Sequence, residues 1–285
     1  MNIGIIGCGF VGGTVADFLE GHLINVCRID PKLYPKTNIF DLREKLEAFI
    51  VCVPTPEGKD GECDDSIVRT IINQLDTDKP ILLKSTVTPN LMETYPSNVT
   101  YNPEFLRANS AKKDFQKQEV FILGGENEEH MQFWENLIVP HLDRPITIKR
   151  MSRTTASMIK YTHNAWLATK VAFFHELFLN TRRMEDFNYS ELTSTLGNMK
   201  NIGPSHMIAP NLEGKFGYGG HCFPKDMQAI LYVAAKYNLP VPTLVGAHTT
   251  NMLVRKDKDW EKMEGRAVSK RNELPELETI EDVKK

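Results

Sequence analysis

Short apolar runs alternate with helical segments from residue 1 to about residue 150, and this alternation narrows the possible folds more than any other feature of the chain. Six runs rich in aliphatic residues are predicted strands, and several are apolar throughout, as strands are when both faces of a sheet are covered. They are residues 2–7, 24–30, 48–54, 81–87, 99–103 and 120–125. Repetition of strand, helix and strand predicts an α/β domain whose doubly wound parallel sheet carries helices on both faces.

The pattern changes near residue 151, where helix-length segments replace the short runs. Residues 154–180 contain neither Pro nor Gly and are rich in Ala, Leu and Phe, which predicts one long and largely buried helix. Two further helices are predicted, one from about residue 226 past residue 237 and one from about residue 243 to residue 258. An all-α central domain with a long helix is therefore expected to follow the sheet domain.

These zones divide the chain into three parts. The sheet domain is predicted over residues 1–150 and the helical domain over residues 151–260. Residues 261–285 are predicted to form a charged C-terminal tail, which from residue 269 on should be a solvated helix or disordered.

Charge and cysteine usage exclude several classes of partner. Lys and Arg total 34 against 37 for Asp and Glu, a net charge of -3, so no basic field attracts nucleic acid or an anionic membrane. No run approaches the roughly 18 apolar residues that span a bilayer, and the N-terminus lacks a signal-peptide pattern, so we expect a cytoplasmic protein. The 5 cysteines contain no CxxC pair and the 8 histidines no HExxH spacing, which favours neither a disulfide framework nor a metal site.

The first predicted strand runs directly into a glycine-rich turn. Gly7, Gly9 and Gly12 form GxGxxG between that strand and an amphipathic segment. In such a turn the first glycine permits a sharp bend, the second lets a pyrophosphate approach the backbone, and the third allows the helix to pack on the strand. The phosphates would lie at the helix N-terminus, where free N–H groups favour anions. The sequence therefore predicts a Rossmann-type dinucleotide site.

Asp30 closes the second predicted strand. It follows the glycines by about twenty residues, where an acid hydrogen-bonds the ribose hydroxyls of NAD. Its charge would repel the extra phosphate of NADP, although Arg28 and Lys32 stand close to it in the sequence. We therefore expect NAD as the cofactor.

Two places outside the sheet domain carry candidate chemical groups. Lys160 and Asn164 are four residues apart and share one face of the long helix. Such a pair is usually solvated, but this helix is too apolar to lie on the surface, and a buried lysine and amide need a reason. Cys222 lies in GYGGHCFPKD (217–226) and is either a small packing residue or a nucleophile.

A nucleophilic Cys222 would fit the groups predicted around it. A thiol, an ammonium and an amide that stabilise an oxyanion, and a carboxylate that handles a proton are parts of one covalent mechanism. The glycines before the thiol would let a substrate approach the backbone. Lys225 and Asp226 would shift the pKa of Cys222 in opposite directions, so the sequence leaves that pKa open.

Six motifs in this order make the chain resemble the UDP-glucose dehydrogenase family, including its UDP-N-acetylmannosamine and GDP-mannose relatives. After the glycine fingerprint they are VPTP (53–56), STV (85–87), NPEFLR (102–107), KYTHNAWLATK (160–170) and GYGGHCFPKD (217–226). The resemblance covers roughly residues 1–255 and implies oxidation of the primary alcohol at carbon six of a nucleotide-bound sugar to a carboxylate, with two NAD. It also implies that Cys222 adds to the intermediate aldehyde as a thiohemiacetal, which loses a second hydride to become a thioester.

The resemblance implies roles for further residues of these motifs. Lys160 and Asn164 would hold the developing oxyanion, Asp226 would assist proton transfer, and Glu104 with Thr86 would position or activate the water that releases the acid. The cofactor would be bound by Gly7, Gly9, Phe10, Val11, Gly12, Asp30, Val53, Pro54, Thr55 and Thr86. The nucleotide sugar would be bound by Glu104, Phe105, Leu106, Arg107, Lys160, Asn164, Phe216, Gly217, Tyr218, Gly219 and Gly220.

Members of the family carry a second Rossmann-like domain that grips the uridine diphosphate, and a domain needs on the order of 100 residues. The sequence ends at residue 285, so we expect this domain to be missing. Three interpretations follow: a compact sugar-nucleotide dehydrogenase whose nucleotide recognition is reduced or supplied by another chain, a relative of the β-hydroxyacid dehydrogenases with an altered substrate, and a non-catalytic NAD-binding protein. Cys222 favours the compact dehydrogenase, because the β-hydroxyacid dehydrogenases need no thiol. A non-catalytic protein would have no need for all six of the candidate catalytic residues, which are Thr86, Glu104, Lys160, Asn164, Cys222 and Asp226. As in the family, the long helix is expected to form the core of a homodimer.

Overall fold

The computed structural model describes residues 1–269, apart from residues 38, 108 and 144 and the side chains of residues 40 and 41. The rest of the predicted tail, residues 270–285, lies outside the described residues. The strands are β1 (Asn2–Ile6), β2 (Asn25–Ile29), β3 (Ala48–Val51), β4 (Ile81–Leu83), β5 (Val99–Tyr101), β6 (Val120–Gly124) and β7 (Thr147–Met151). The α-helices are α1 (Phe10–Gly21), α2 (Ile39–Leu42), α3 (Ser66–Leu75), α4 (Pro89–Met92), α5 (Ala111–Gln116), α6 (Glu128–Ile138), α7 (Arg153–Thr181), α8 (Tyr189–Gly197), α9 (Phe223–Lys236) and α10 (Pro242–Val254).

The strands form one sheet in the order β2–β1–β3–β4–β5–β6–β7. β1 lies second in the sheet and pairs in parallel with the edge strand β2 and with β3, with Ile3 opposite Val26 and Ala48. All residues of β3, β4 and β5 are buried, because helices cover both faces. Apolar side chains of α1, α5 and α6 pack on one face and those of α3, α4 and the start of α7 on the other. The predicted doubly wound sheet followed by a helical domain is therefore confirmed.

The sheet is not parallel throughout. β6 pairs with β5 in the antiparallel direction, with Tyr101 opposite Gly124, and β7 runs parallel to β6. The expectation of a wholly parallel sheet is wrong at this pair, because apolar runs indicate burial and not direction. The sequence also missed β7, whose side chains are mostly exposed and lack an apolar pattern. At Gly124 an added Cβ would lie 2.8 Å from the Cβ of Ala156, so the missing side chain lets α7 cross the sheet.

The long helix α7 packs on both domains, and its bounds confirm the helix predicted over residues 154–180. Near its start, the hydroxyl of Ser157 donates a 2.6 Å hydrogen bond to the carbonyl of Val87 in the sheet domain. Farther along, Ala168 packs in a cluster with Met227 of α9 and Ala247 of α10. A side chain in the middle of α7 therefore lies at the junction of the two domains.

Residues 261–269, the first part of the predicted tail, pack on the sheet domain. Ala267 is 1% exposed and its carbonyl accepts a 2.8 Å hydrogen bond from the N–H of Glu57. The solvated or disordered segment was predicted only from residue 269 on, and it stays a prediction because residues 270–285 lie outside the described residues. No helix in the described residues combines the length and the apolar character needed to cross a bilayer.

Candidate functional site

A cavity of about 500 Å³ opens at the carboxyl ends of β1, β3 and β4 and reaches the start of α9. Ligands of doubly wound sheets bind at this edge. The predicted residues that line it are Gly7, Gly9, Phe10, Val11, Asp30, Val53, Pro54, Thr55, Thr86, Glu104, Cys222 and Asp226. The cavity thus brings the glycine turn and the thiol together, although they lie more than 200 residues apart in the sequence.

The glycine turn has the geometry that a dinucleotide requires. Gly7 has φ +85°, which only glycine adopts without strain, and its N–H donates to the carbonyl of Ile29 at 2.9 Å. An added Cβ at Gly12 would overlap the Gly7 carbonyl oxygen, so α1 packs this closely only because that side chain is absent. At Gly9 an added Cβ would meet nothing within 4 Å, which leaves the backbone at the start of α1 open to a phosphate. The residues present therefore fit NAD.

Asp30 accepts three backbone hydrogen bonds at the end of β2. Its Oδ2 accepts the N–H of Cys8 at 2.9 Å, and its Oδ1 accepts those of Lys32 and Leu33. Burial alone would favour the neutral acid, but these N–H groups hold the pKa of Asp30 below its usual range. Arg28 is held instead by Asp17 and Glu20 of α1, each at 2.7 Å. A charged Asp30 without help from Arg28 favours NAD over NADP.

Cys222 lies at the N-terminal end of α9, with its side chain partly buried. Burial, followed by the charge of Asp226, raises the pKa of the Cys222 thiol to about 11, against the opposing effect of Lys225 and Lys160. The structure therefore answers the question that the sequence left open. At neutral pH the thiol keeps its proton, and a base must remove that proton before the sulfur can attack a carbonyl.

Lys160 and Glu104 form a buried ion pair across the domain junction. The Lys160 side chain is 3% exposed and that of Glu104 is 11% exposed. Lys160 Nζ donates to Oε1 of Glu104 at 2.9 Å and to its backbone carbonyl at 2.5 Å. Burial by itself would raise the pKa of Glu104, but Lys160 and the N–H of Leu106 hold it below its usual range. The alternative of a solvated Lys160 is therefore wrong.

Asn164 connects the same helix to the thiol loop. It is 4% exposed, and its Nδ2 donates a 2.6 Å hydrogen bond to Oδ2 of Asp226. The other carboxylate oxygen of Asp226 accepts Lys225 Nζ at 2.5 Å. Asp226 is itself 2% exposed, so a buried carboxylate is fixed one helical turn after Cys222 by two donors. Glu104 and Asp226 line the cavity beside Cys222, whereas Lys160 and Asn164 do not line it and are connected to it by their hydrogen bonds to these two carboxylates.

The predicted substrate residues are divided among three cavities. Phe105, Leu106 and Arg107 line a second cavity of about 710 Å³, which Glu104 shares with the first. Gly217, Tyr218, Gly219 and Gly220 line a third, of about 400 Å³. Phe216 lines none of these three and packs on His175 and Phe178.

Two of the glycines expected to admit a substrate have a different neighbour. An added Cβ at Gly217 would overlap Oδ1 of Asn251, and one at Gly219 would overlap the guanidinium of Arg255. Helix α10 and its C-cap residue therefore occupy the space that the sequence reserved for a sugar. Gly220, with φ +71° and nothing within 4 Å of an added Cβ, keeps that space open.

Eight cavity residues were not predicted: Lys32, Leu33, Cys52, Lys84, Ser85, His221, Lys225 and Arg266. Lys84 is 3% exposed, and burial lowers its pKa to about 8 although its Nζ donates to Oδ1 of Asn102 at 2.5 Å. A lysine within the apolar run ILLKSTV was a signal that could have identified it. Arg266 carried no such signal, because it stands in a charged segment without periodicity.

The chain is similar to known proteins in sequence and in fold. Two models of the UDP-glucose/GDP-mannose dehydrogenase family match the chain, the NAD-binding domain over residues 23–141 and the central domain over residues 154–252. UDP-glucose 6-dehydrogenase of Rickettsia bellii is 30% identical over 81% of this chain and 62% of its own length. That of Rickettsia typhi is 27% identical over 89% of this chain and 67% of its own length.

A UDP-glucose dehydrogenase structure from Pyrobaculum islandicum has the same fold, with a TM-score of 0.78 and 22% identity over 88% of this chain and 68% of that chain. The chain spans about two thirds of the length of the two Rickettsia enzymes.

Proposed function

Because the chain belongs to the UDP-glucose/GDP-mannose dehydrogenase family, we propose that it oxidises the primary alcohol of a nucleotide sugar to a carboxylate with two NAD. The substrate is UDP-glucose or a close relative. The single observation that carries this proposal is the cavity in which the glycine turn, Cys222 and the two buried carboxylates Glu104 and Asp226 meet. A thiol and a dinucleotide turn in one cavity suit an oxidation that passes through an enzyme-bound aldehyde.

For the first oxidation Gly7, Gly9 and Asp30 would hold NAD, which would supply the hydride acceptor for the carbinol carbon, and Asp226 assists the departure of the hydroxyl proton. Oxygen gains negative charge as the proton leaves, and Lys160 and Asn164 stabilise that charge from the helix α7 side. Both side chains are held in place before substrate binds, Lys160 by Glu104 and Asn164 by Asp226. This preorganisation means that little reorientation is needed during the reaction.

In the second oxidation Cys222 forms the covalent bond. Asp226, whose charge contributes to the raised pKa of the thiol, accepts its proton as the sulfur adds to the aldehyde carbon. The oxyanion takes this proton back from Asp226 to give the thiohemiacetal, which would become a thioester once a second NAD, held as the first, supplied the hydride acceptor and the hydroxyl proton returned to Asp226. Water, activated by Glu104 and positioned with Thr86, then breaks the C–S bond, which releases the acid and restores the thiol. A β-hydroxyacid dehydrogenase would use the Lys/Asn pair but leave Cys222 without a role.

The stoichiometry of the reaction tests this proposal. Purified protein mixed with limiting UDP-glucose and excess NAD should form two NADH for each sugar consumed, measured by absorbance and by chromatography of the nucleotide sugars. Two hydrides are expected because the thiohemiacetal on Cys222 retains the aldehyde until it is oxidised to the thioester. One NADH for each sugar, with the aldehyde released, would contradict the covalent mechanism.

We also propose that two copies of the chain associate through α7. Met158, Trp166 and Phe173 are 41%, 59% and 61% exposed and lie along one side of this helix. Large apolar side chains aligned in this way usually mark an interface. A second copy is the expected occupant, since the resemblance implies a dimer built on this helix.

Replacing both Trp166 and Phe173 with Asp should convert the dimer to a monomer, because each copy would bring two charges into the apolar contact. Sedimentation velocity measures the change. Leu253→Asp is the matched control, since Leu253 is an apolar residue of α10 that is 79% exposed. A parent protein that sediments as a monomer at tens of micromolar would contradict this interface.

The compartment follows from the thiols. The five cysteines are all free, and the proposed mechanism needs Cys222 reduced. Disulfides persist in oxidising compartments and are rare in the cytosol. We therefore propose that the protein works in the cytoplasm.

A further inference from the structure

Lys84 directly follows β4, and its side chain lies between two cavities. It is 3% exposed, and its Nζ lies 5.6 Å from the centre of the Phe115 ring. Its side chain lines both the cavity that contains Cys222 and the second cavity, and so does that of Glu104. A buried ammonium costs free energy unless its charge is compensated or used. The reaction steps proposed above give Lys84 no role.

The hydrogen bonds of Lys84 hold the start of the loop that carries Glu104. Lys84 Nζ donates to Oδ1 of Asn102 at 2.5 Å and to the backbone carbonyl of Asn102 at 3.4 Å. Asn102 is 2% exposed, and its Nδ2 donates to the carbonyl of Ile122 on β6 at 2.6 Å. It is the first residue after β5 and stands two residues before Glu104. The loop is therefore fixed from the β4 side and from the β6 side.

The charge of Lys84 is not neutralised by an ion pair. Both of its hydrogen bonds go to neutral oxygens, and no described carboxylate lies within the 4.0 Å of an ion pair. Burial first, and also the charge of Lys160, lower the pKa of Lys84 to about 8, against the opposing charges of Cys52 and Glu104. In return Lys84 contributes to the lowered pKa of Glu104. The two groups therefore interact through their charges without touching.

Both groups can bind a water molecule placed between them. Glu104 accepts Lys160 on Oε1 and the N–H of Leu106 on Oε2 at 2.8 Å, and each carboxylate oxygen has room for a second donor. An ammonium has three donors, and in the described part of the chain those of Lys84 reach only the oxygens of Asn102. A water that accepts from Lys84 and donates to Glu104 would satisfy both.

We propose that Lys84 is a positioning residue for the hydrolysis of the thioester. It holds the loop of Glu104 in place, and its charge keeps the attacking water beside that carboxylate. The water gives its proton to Glu104 as its oxygen bonds to the thioester carbon, the C–S bond breaks, and the thiolate of Cys222 takes the proton up. Lys84 keeps its own proton throughout. The inference rests on the proposed function and concerns only its last step.

The test follows one turnover of Lys84→Gln and of the parent protein. Glutamine keeps a donor for Asn102 but removes the charge, so the loop should stay in place. After rapid mixing with UDP-glucose and excess NAD, two NADH for each active site should form at close to the parent rate. Later turnovers should be about 10- to 100-fold slower, because a charge-assisted hydrogen bond to the water is lost. Mass spectrometry of quenched samples should then show the thioester accumulating on Cys222.

Two further variants separate the charge of Lys84 from its burial. Lys84→Arg keeps the charge and should recover most of the steady-state rate. Lys170→Met is the matched control, since Lys170 is 6% exposed and its Nζ also donates only to neutral oxygens, the carbonyls of Ile202 and Gly203 at 2.8 and 2.9 Å. Lys170 lines none of the three cavities. Its variant should accumulate no more thioester than the parent, even if it is less stable.

The possible results distinguish this inference from the proposed function. A parent protein that forms no NADH with UDP-glucose, UDP-N-acetylmannosamine or GDP-mannose would overturn both. If the parent forms the thioester and Lys84→Gln hydrolyses it at the parent rate, only the role of Lys84 is wrong. Equal slowing of the first two hydride transfers and of the later turnovers, without accumulation of thioester, would also overturn that role, because a general structural defect acts on every step.

Discussion

Cys222→Ser is expected to lower the steady-state rate of NADH formation at least about 1,000-fold. Serine is close to cysteine in size, so the cavity should keep its shape, but its hydroxyl is a far weaker nucleophile than a thiolate. With a pKa of about 11 the Cys222 thiol already depends on a base, and an alcohol in the same place would depend on it much more. The rate is followed by absorbance, and mass spectrometry of quenched reactions should detect a sugar adduct on the parent protein and not on the variant.

Cys27→Ser is the matched control for this experiment. Cys27 is a free and partly buried cysteine like Cys222, but it lies on β2 and does not line the cavity. Its variant should keep the activity of the parent within a few-fold. Cys222→Ser that still forms two NADH for each sugar at a tenth of the parent rate or more would exclude the thioester.

Lys160→Met should lower both activity and stability. The substitution leaves the Glu104 carboxylate buried without its cation, a change that typically costs about 3–5 kcal/mol of unfolding free energy. Activity should fall by at least about 100-fold, because the ammonium that stabilises the oxyanion is lost. Urea unfolding at pH 7 and initial rates of NADH formation measure the two effects.

The loss of unfolding free energy in Lys160→Met should depend on pH. In the parent protein the pKa of Glu104 is lowered, so its pairing stabilises the fold above the unfolded pKa and that contribution is lost as the pH falls through the folded pKa. In the variant the unpaired carboxyl should have a raised pKa and become neutral on acidification. The stability gap between the two proteins should therefore be widest near pH 7 and narrow toward about pH 4.

Two further variants test whether the unpaired charge of Glu104 causes the loss of stability. Lys112→Met removes the cation of an exposed ion pair with Asp17 and should change stability by less than about 0.5 kcal/mol. The double variant Lys160→Met with Glu104→Gln should regain most of the lost stability and stay inactive, because no buried charge is left unpaired. If Lys160→Met is as stable as the parent at pH 7, the pair does not hold the junction.

The sequence predicted those strands and helices whose burial requires a recognisable run of apolar residues. The interiors of β1 to β6 and α7 are apolar, so their existence could be inferred, and the glycine turn could be inferred from the spacing of Gly7, Gly9 and Gly12. β7 could not, because an edge strand with exposed side chains needs no apolar pattern. The reversal at β6 could not either, since strand direction depends on connections that periodicity does not record.

At the site, the sequence identified chemical groups better than their partners. Cys222, Lys160, Asn164 and Asp226 stood out by type and spacing, yet the pairing of Lys160 with Glu104 depends on how α7 crosses the sheet. Gly217 and Gly219 were predicted to leave space for a sugar, but Asn251 of α10 and its C-cap residue Arg255 occupy that space. This is a long-range contact that the local sequence does not encode. Arg266 was missed for the same reason, since its position depends on the hydrogen bonds of Ala267 and Ser269 to Glu57.

The shared helix α7 limits how ligands can move through this protein. Ser157 and Lys160 bind the sheet domain through Val87 and Glu104, while the rest of the helix belongs to the core of the helical domain. If the two domains moved apart to admit a substrate, Lys160 would separate from Glu104 and the proposed site would lose its buried ion pair. We therefore expect ligands to pass through the mouth of the cavity. Under the proposed mechanism, a second NAD would have to replace the first NADH while the sugar stays bound to Cys222.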